Sequence, residues 1–149
     1  MSGELVVQQA VLSTLRADAG IIALLPEHPY GGSPSVPAVF EYVQQADDSA
    51  TTGPFPYIVV GDTTAIEFDT DDVNGQEHTV TLHVWDRNPG RKRCRQVVDA
   101  IYAALHKVDL SISGRAAIYC FFEFTESLPD PDVKLQHMVT RYRIVSQET

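Results

Sequence analysis

Polar and apolar residues alternate at period two from Glu77 to Asp86. Val80, Leu82 and Val84 fall on one side, and Thr79, Thr81, His83 and Trp85 on the other, the pattern of a strand in a sheet. Arg87-Asn88-Pro89-Gly90 breaks the alternation, and Asn88 before Pro89 reads as a helix N-cap followed by proline at the first helical position. From Arg91 the period becomes 3.6. Cys94, Val97, Val98, Ile101 and Leu105 form one apolar stripe on a helix of about 15 residues, which can fold back over the apolar face of the strand. No catalytic motif lies in this unit, and it reads as scaffold.

The rest of the chain supplies partners for it. Glu4 to Ala17 predicts an amphipathic helix with Leu5, Val11, Leu12, Leu15 and Ala19 on one face, Ser2 as N-cap and Glu4 in the first turn. Asp18-Ala19-Gly20 interrupts it, and Ile21–Leu25 makes a further apolar turn that Pro26 stops. Short strand character follows at 38–43, and a firm strand at 55–62 with Pro56 at its start, where a missing N–H is tolerated. Thr63 to Phe68 extends it as an exposed arm, with Asn74-Gly75 as the hairpin turn. Leu110–Ile112 is a short strand candidate. Arg115 to Glu126 is a strand with Ile118, Cys120, Phe122 and Phe124 on one face and Ala117, Tyr119, Phe121 and Glu123 on the other. Both of its faces are apolar enough that it is expected to be central in the sheet or to meet a partner. Gln136 to Val145 closes the sheet, with Met138, Tyr142 and Ile144 opposite Val139, Arg141 and Arg143. The expected fold is α+β: a mostly antiparallel sheet of about four main strands with two main helices packed on one face. One domain over 1–149 is expected, with flexible loops at about 26–37, 44–54 and 63–76.

Composition narrows the classes of function. The chain has 149 residues, 44% hydrophobic and 21% charged, which is ordinary for a soluble globular protein and sufficient for a core without metal or disulfide. The net charge of −9 argues against a general nucleic-acid binder. The N-terminal residues lack the positive region of a signal peptide, and no apolar run is long enough to span a bilayer, so the expectation is a soluble protein made in the cytoplasm with no membrane partner. Cys94 and Cys120 lie at apolar positions and read as two reduced core thiols.

Candidate chemistry is sparse. There is no GxSxG, GxxxxGK[ST], GxGxxG, HExxH or CxxC. The acidic run Asp69-Thr70-Asp71-Asp72-Val73-Asn74-Gly75 does not fit a calcium loop, since Val73, Asn74 and Val80 stand where ligands or glycine are required. His78 and His83 fall on opposite strand faces, and His28, His106 and His137 stand alone in the sequence. Glu123, Glu126, Asp130 and Asp132 read as solvated acids, and the position of Cys94 on the apolar stripe argues against a reactive thiol. No cofactor or metal is expected. The charge feature that stands out is Arg91, Lys92, Arg93 and Arg95, cations at the start of a helix, where they oppose its dipole. Three readings of it compete: a solvated face, contact with an acidic patch on another copy or another protein, and contact with phosphates. With Phe68, Asp69, Asp71, Asp72 and Trp85, these four are the candidate subunit or partner interface.

The order of features resembles the small tail-completion proteins of long-tailed bacteriophages and of phage-like gene transfer agents, the tail-terminator or head–tail joining family. The matching stretches are Glu4–Val11 through Leu15–Asp18, Pro54–Gly61, Glu77–Trp85, Gly90–Lys92 to Ile101–His106, and the strand around Arg141–Arg143. The FPY strand, the H-x-W strand and the AAL-H helix end are specific together and weak singly, and the connection from Gly31 to Gly53 is longer than usual. The resemblance implies a structural virion protein without catalysis at the head–tail interface, assembled in the host bacterial cytoplasm. It further implies a ring, commonly of six subunits, that caps the tail tube and offers the surface on which the head docks. Its implied partners are its own copies, the tail tube protein and a head-completion or connector protein, with DNA passing through without specific binding. Two other readings stay open: a small-ligand-binding or enzymatic α+β domain, and a DNA-contacting protein acting through Arg91–Arg95.

Overall fold

Helix α1 covers Glu4–Ala17, the range its periodicity predicts, and buries Val7, Ala10, Val11, Leu12 and Leu15. Leu5, expected on the buried face, is 65% exposed. The helix begins one turn too early for it to reach the sheet, and Val7 and Ala10 take that place. The N-cap is Gly3, at φ 67°, with no side-chain cap. A Cβ there would lie 3.0 Å from the Arg115 side chain, so both the backbone and the space favour glycine. The expected cap Ser2 lies outside the residues that this computed structural model describes, which are 3–28, 36–41, 55–87, 90–131 and 135–149.

Asp18 does more than interrupt. It is the N-cap of helix α2 (Ala19–Leu24), its carboxylate accepting from the Ile21 N–H at 3.0 Å, and it drives Ile21 into the core. Replacing Asp18 by alanine is expected to cost about 1 kcal/mol, read as a drop of about 2–4 °C in thermal midpoint. An unchanged midpoint would mean that α2 is held by packing alone.

The strands follow as β1 (Glu27–His28), β2 (Val36–Pro37), β3 (Val39–Phe40), β4 (Tyr57–Glu67) and β5 (Gly75–Asp86), then helix α3 (Lys92–Leu105), β6 (Ser111–Ile112), β7 (Arg115–Leu128) and β8 (Gln136–Glu148). β1 and β2 pair with each other, and the other six form one sheet in the order β3-β4-β5-β8-β7-β6. It is antiparallel except for the short β3, which runs parallel to β4. The four long strands are the ones the sequence pattern predicts. Val80, Leu82 and Val84 of β5, Met138, Tyr142 and Ile144 of β8, and the α3 stripe of Cys94, Val97, Val98, Ile101 and Leu105 meet α1 and α2 in one buried core. All three helices therefore cover one face of the sheet. Among the described residues the opposite face carries a small buried cluster of Ala38, Phe40, Tyr57 and Val59, with Phe55 and Trp85 packed against it.

Four expectations change. α3 starts at Lys92 with Arg91 at the N-cap position and no side-chain cap, after Gly90 at φ 90°. The expected cap at Asn88 lies outside the described residues. The hairpin turn is not Asn74-Gly75 but the longer stretch 68–74, because Glu67 pairs with Gln76 and Gly75 already belongs to β5. The loop expected over 63–76 thus shrinks to that turn. β7 is not central: β8 lies between it and β5, and among the described residues the short β6 is the strand that borders β7 on its outer side. Finally, register shifts in β7 between Ala117 and Tyr119 and between Phe122 and Phe124 each reverse the alternation. Ala117, Cys120 and Phe122 face the core, Ile118 is exposed, and Phe124 turns to the helix-free face beside Arg141.

Candidate functional site

The candidate residues gather at the two ends of β5, about 36 Å apart at strand rise. At the far end, after Asp86, Arg91, Lys92 and Arg95 are exposed at the start of α3. Arg93 differs from them. Its guanidinium lies 3.0 Å from Asp86 Oδ1 and donates to the Phe55 carbonyl at 3.1 Å. Asp86 is fully buried and also accepts from the Arg87 N–H at 2.8 Å. Burial pushes its carboxyl up from the ordinary value, while Arg93 and the Arg87 N–H pull it back. Three of the four predicted cations therefore point to solvent, and the fourth pins α3 to β5.

At the near end, the turn 68–74 is held by its own backbone: Phe68 N–H donates to the Gly75 carbonyl and Thr70 N–H to the Val73 carbonyl, each at 2.9 Å. Asp69 Oδ1 accepts from the Gly75 N–H at 2.9 Å, so this acid shapes the turn, while Asp71 and Asp72 are exposed. A Cβ at Gly75 would fall 2.6 Å from the Phe68 carbonyl oxygen, which reserves the position for glycine. A hydrogen bond that the protonated Glu67 donates to Asp69, and then the Asp69 charge, raises the Glu67 carboxyl above the usual range. Phe68, 50% exposed, lines a cavity of about 200 Å³ with Val73, Ile118 and Val145.

Between these ends lies the helix-free face, where the structure brings together side chains that look isolated in the sequence. Trp85 stacks on His137 with ring centroids 3.8 Å apart, and His137 Nε2 meets His83 Nδ1 at 2.8 Å. Burial lowers both imidazoles. His137 falls to about 4, with His83 adding to the effect and Asp130 opposing it; the Asp62 charge partly offsets the shift of His83. Arg143 lies 3.1 Å from Glu77 and 3.5 Å from Glu123. Arg141 donates to Thr81 Oγ1 and lies over the Phe124 ring, 4.7 Å from its centroid. These are cross-strand contacts between residues 54 and 60 positions apart for His83–His137 and Thr81–Arg141, so no local spacing announces them.

On the helix side, His78 and His83 do face opposite ways. His78 is buried, with Nε2 3.2 Å from Ser146 Oγ, which in turn accepts from Arg115 Nε at 2.9 Å. Arg115 extends to Glu148 at 3.7 Å. Burial, then Arg115, lowers His78 to about 4. A buried histidine and serine beside an arginine are a structural network here, since neither side chain reaches solvent. His106 also has a partner: its Nδ1 accepts from the Phe122 N–H at 3.0 Å and its ring stacks on Tyr102. Cys94 and Cys120 are free and buried, and burial pushes both thiols up to about 12, so neither is poised as a nucleophile. Among the described residues no group of three His, Cys, Asp or Glu is placed to hold a metal ion, and no helix is long and apolar enough to cross a membrane.

The fold is α+β: a six-stranded, mostly antiparallel sheet with helices on one side, a salt-bridged polar wall on the other and opposite charges at its two ends. The sequence comparison then gives the particular kind: the family profile described as Tail completion protein gp17 matches residues 9–147, and the chain belongs to that family. Among solved structures, a chain described as "Virion of native gene transfer agent (GTA) particle" has the same fold, with a TM-score of 0.74 at 21% identity, covering 95% of this chain and 94% of that chain. No curated protein matches by sequence.

Proposed function

We propose that the chain forms a closed ring that terminates a tail tube and presents the surface on which the head docks, without catalysis. Family membership supplies the setting, and one observation carries the reading: β5 separates an exposed acidic turn (Asp71, Asp72) from exposed cations at the start of α3 (Arg91, Lys92, Arg95). In a ring whose strands run from rim to rim, one rim is acidic and the other basic. A collar between two different proteins needs two chemically distinct rims, one for the tail tube protein and one for a head-completion protein. The helix-free face supports the passage of DNA without specific binding, because Arg143 is held by Glu77 and Glu123 and is not offered to phosphates. The site of action is the head–tail interface of the virion.

The test is mass by light scattering across protein concentration, with images of any large species, repeated with tail tubes added. A closed ring, alone or recruited onto tube ends, is the expected result. A monomer at every concentration that ignores tubes would overturn the reading.

A further inference from the structure

The sheet ends in two unequal half-covered edges. β3 pairs with β4 only at Ile58 and Val59, and among the described residues nothing pairs with the outer side of β4 from Gly61 to Glu67. On the other edge, β6 pairs with β7 only at Arg115 and Ala116. The α3–β6 connection then takes up the Cys120 carbonyl, through the Lys107 N–H, and the Phe122 N–H, through His106. From Glu123 to Leu128 nothing among the described residues pairs with the outer side of β7. The two stretches left unpaired among the described residues are of similar length and lie on opposite edges of the sheet. Main-chain donors and acceptors left in a row are a template for another strand.

We infer that the free stretch of β7 pairs with the free stretch of β4 in a neighbouring copy of this chain, so that the sheet continues from subunit to subunit. The inference rests on the ring reading and deepens it by naming the contact that closes the ring. Strand direction fits. β4, β5, β8 and β7 alternate, so β7 runs opposite to β4, and a neighbour related by rotation about the ring axis offers β4 in the antiparallel sense.

The stagger fits as well. Glu126 is level with Val139 and His83, whereas Thr64 is level with Thr79. Bringing Glu126 beside the neighbour's Thr64 shifts each copy along the strand by about 14 Å. Four strand spacings of about 4.8 Å make each step about 19 Å wide. The strands then tilt by about 35° to the ring axis, the tilt that closed sheets adopt. β3 and β6 each cover the half of their edge that this stagger leaves unpaired. The helices lie on one side of the continuous sheet, and the polar wall of Thr64, Thr79, Thr81 and Arg141 on the other.

Thr64 and Glu126 lie along the same helix-free face, and Cys94 and Cys120 are buried, so a pair of introduced cysteines reads the contact directly. The full chain carrying Thr64→Cys and Glu126→Cys is assembled, treated with a short bismaleimide and run on a denaturing gel. Thr64→Cys with Ile118→Cys, at the other end of β7, serves as comparison. A ladder of covalent multimers from the Thr64/Glu126 pair, at least tenfold stronger than from the comparison pair, is expected. Rings seen by mass and imaging but without that ladder would overturn the strand pairing and leave the ring reading standing. A ladder from the Thr64/Ile118 pair alone would overturn the stagger, and with it the inference. Failure of the unsubstituted chain to assemble, alone or on tubes, would overturn the ring reading and this contact together.

Discussion

Acidification from pH 7 to pH 4 is expected to destabilise the fold by several kcal/mol, with His78 a main contributor. Its folded-state pKa is lowered to about 4 by burial and by Arg115, against 6.5 ordinarily. For a depressed histidine the sign is fixed. Folded and unfolded chains bind the same protons above pH 6.5, where its contribution to stability is complete. As pH falls the unfolded chain takes up a proton that the folded one refuses, and the contribution is gone below about 4. For His78 that is about 2–3 kcal/mol. His137, lowered to about 4, acts over the same window, and His83, also lowered, acts in the same direction, the two forming a pair whose ring nitrogens meet at 2.8 Å and cannot both charge without repulsion. His78→Gln keeps an amide near Ser146 and removes the titration. It should cost about 1–2 kcal/mol at pH 7 and lose less on the way to pH 4, so that the two stability curves converge. Urea unfolding at a series of pH values reads this, and parallel curves for the two proteins would refute the assignment to His78.

Reversing the cations at the start of α3 is expected to separate stability from docking. Arg91→Glu, Lys92→Glu and Arg95→Glu together place acids where the helix dipole favours them, so the variant should melt at the same temperature or slightly higher, by a few tenths of a kcal/mol per residue. Its rings should form as before, because in the proposed ring these side chains lie at a rim and not on the edges inferred to pair. Docking to whichever partner meets that rim should fall at least tenfold. The wild-type interaction should weaken steeply with salt. Arg93 is left out because it holds Asp86 and Phe55. Binding of the triple variant to both tail tubes and head-completion protein at wild-type strength would show that the basic rim is a solvated face.

The parts of this fold written in local periodicity were legible from the sequence. The α1 range, the α3 stripe and the alternation of β5 are each set by residues a few positions apart, and each stands as expected. What was not legible depends on pairing between distant strands. The bulges in β7 move Ile118 and Phe124 off the face that strict alternation assigns them, and a bulge becomes visible only against its partner strand. The place of β8 between β5 and β7 likewise has no local signature, so β7, apolar on both sides, looked central. Among candidate site residues, the exposure of Arg91, Lys92 and Arg95 followed from their spacing. The anchoring of Arg93 by Asp86 did not, nor did the His83–His137–Trp85 stack.

The strand that holds the sheet together comes after both of its neighbours in the chain: β8 (136–148) lies between β5 and β7. On the ribosome, β4 and β5 can zip into a hairpin as they emerge, while β5 and β7 both pack on α3 but share no hydrogen-bonded sheet until β8 arrives between them. Until then both strands present open edges toward the gap that β8 will fill, the condition under which nascent chains pair wrongly with one another. Translation order thus leaves the hydrogen-bonded sheet in two parts until its last strand is made. In the ring inferred above, the two pairing edges, β4 and β7, belong to one continuous sheet only once β8 is in place.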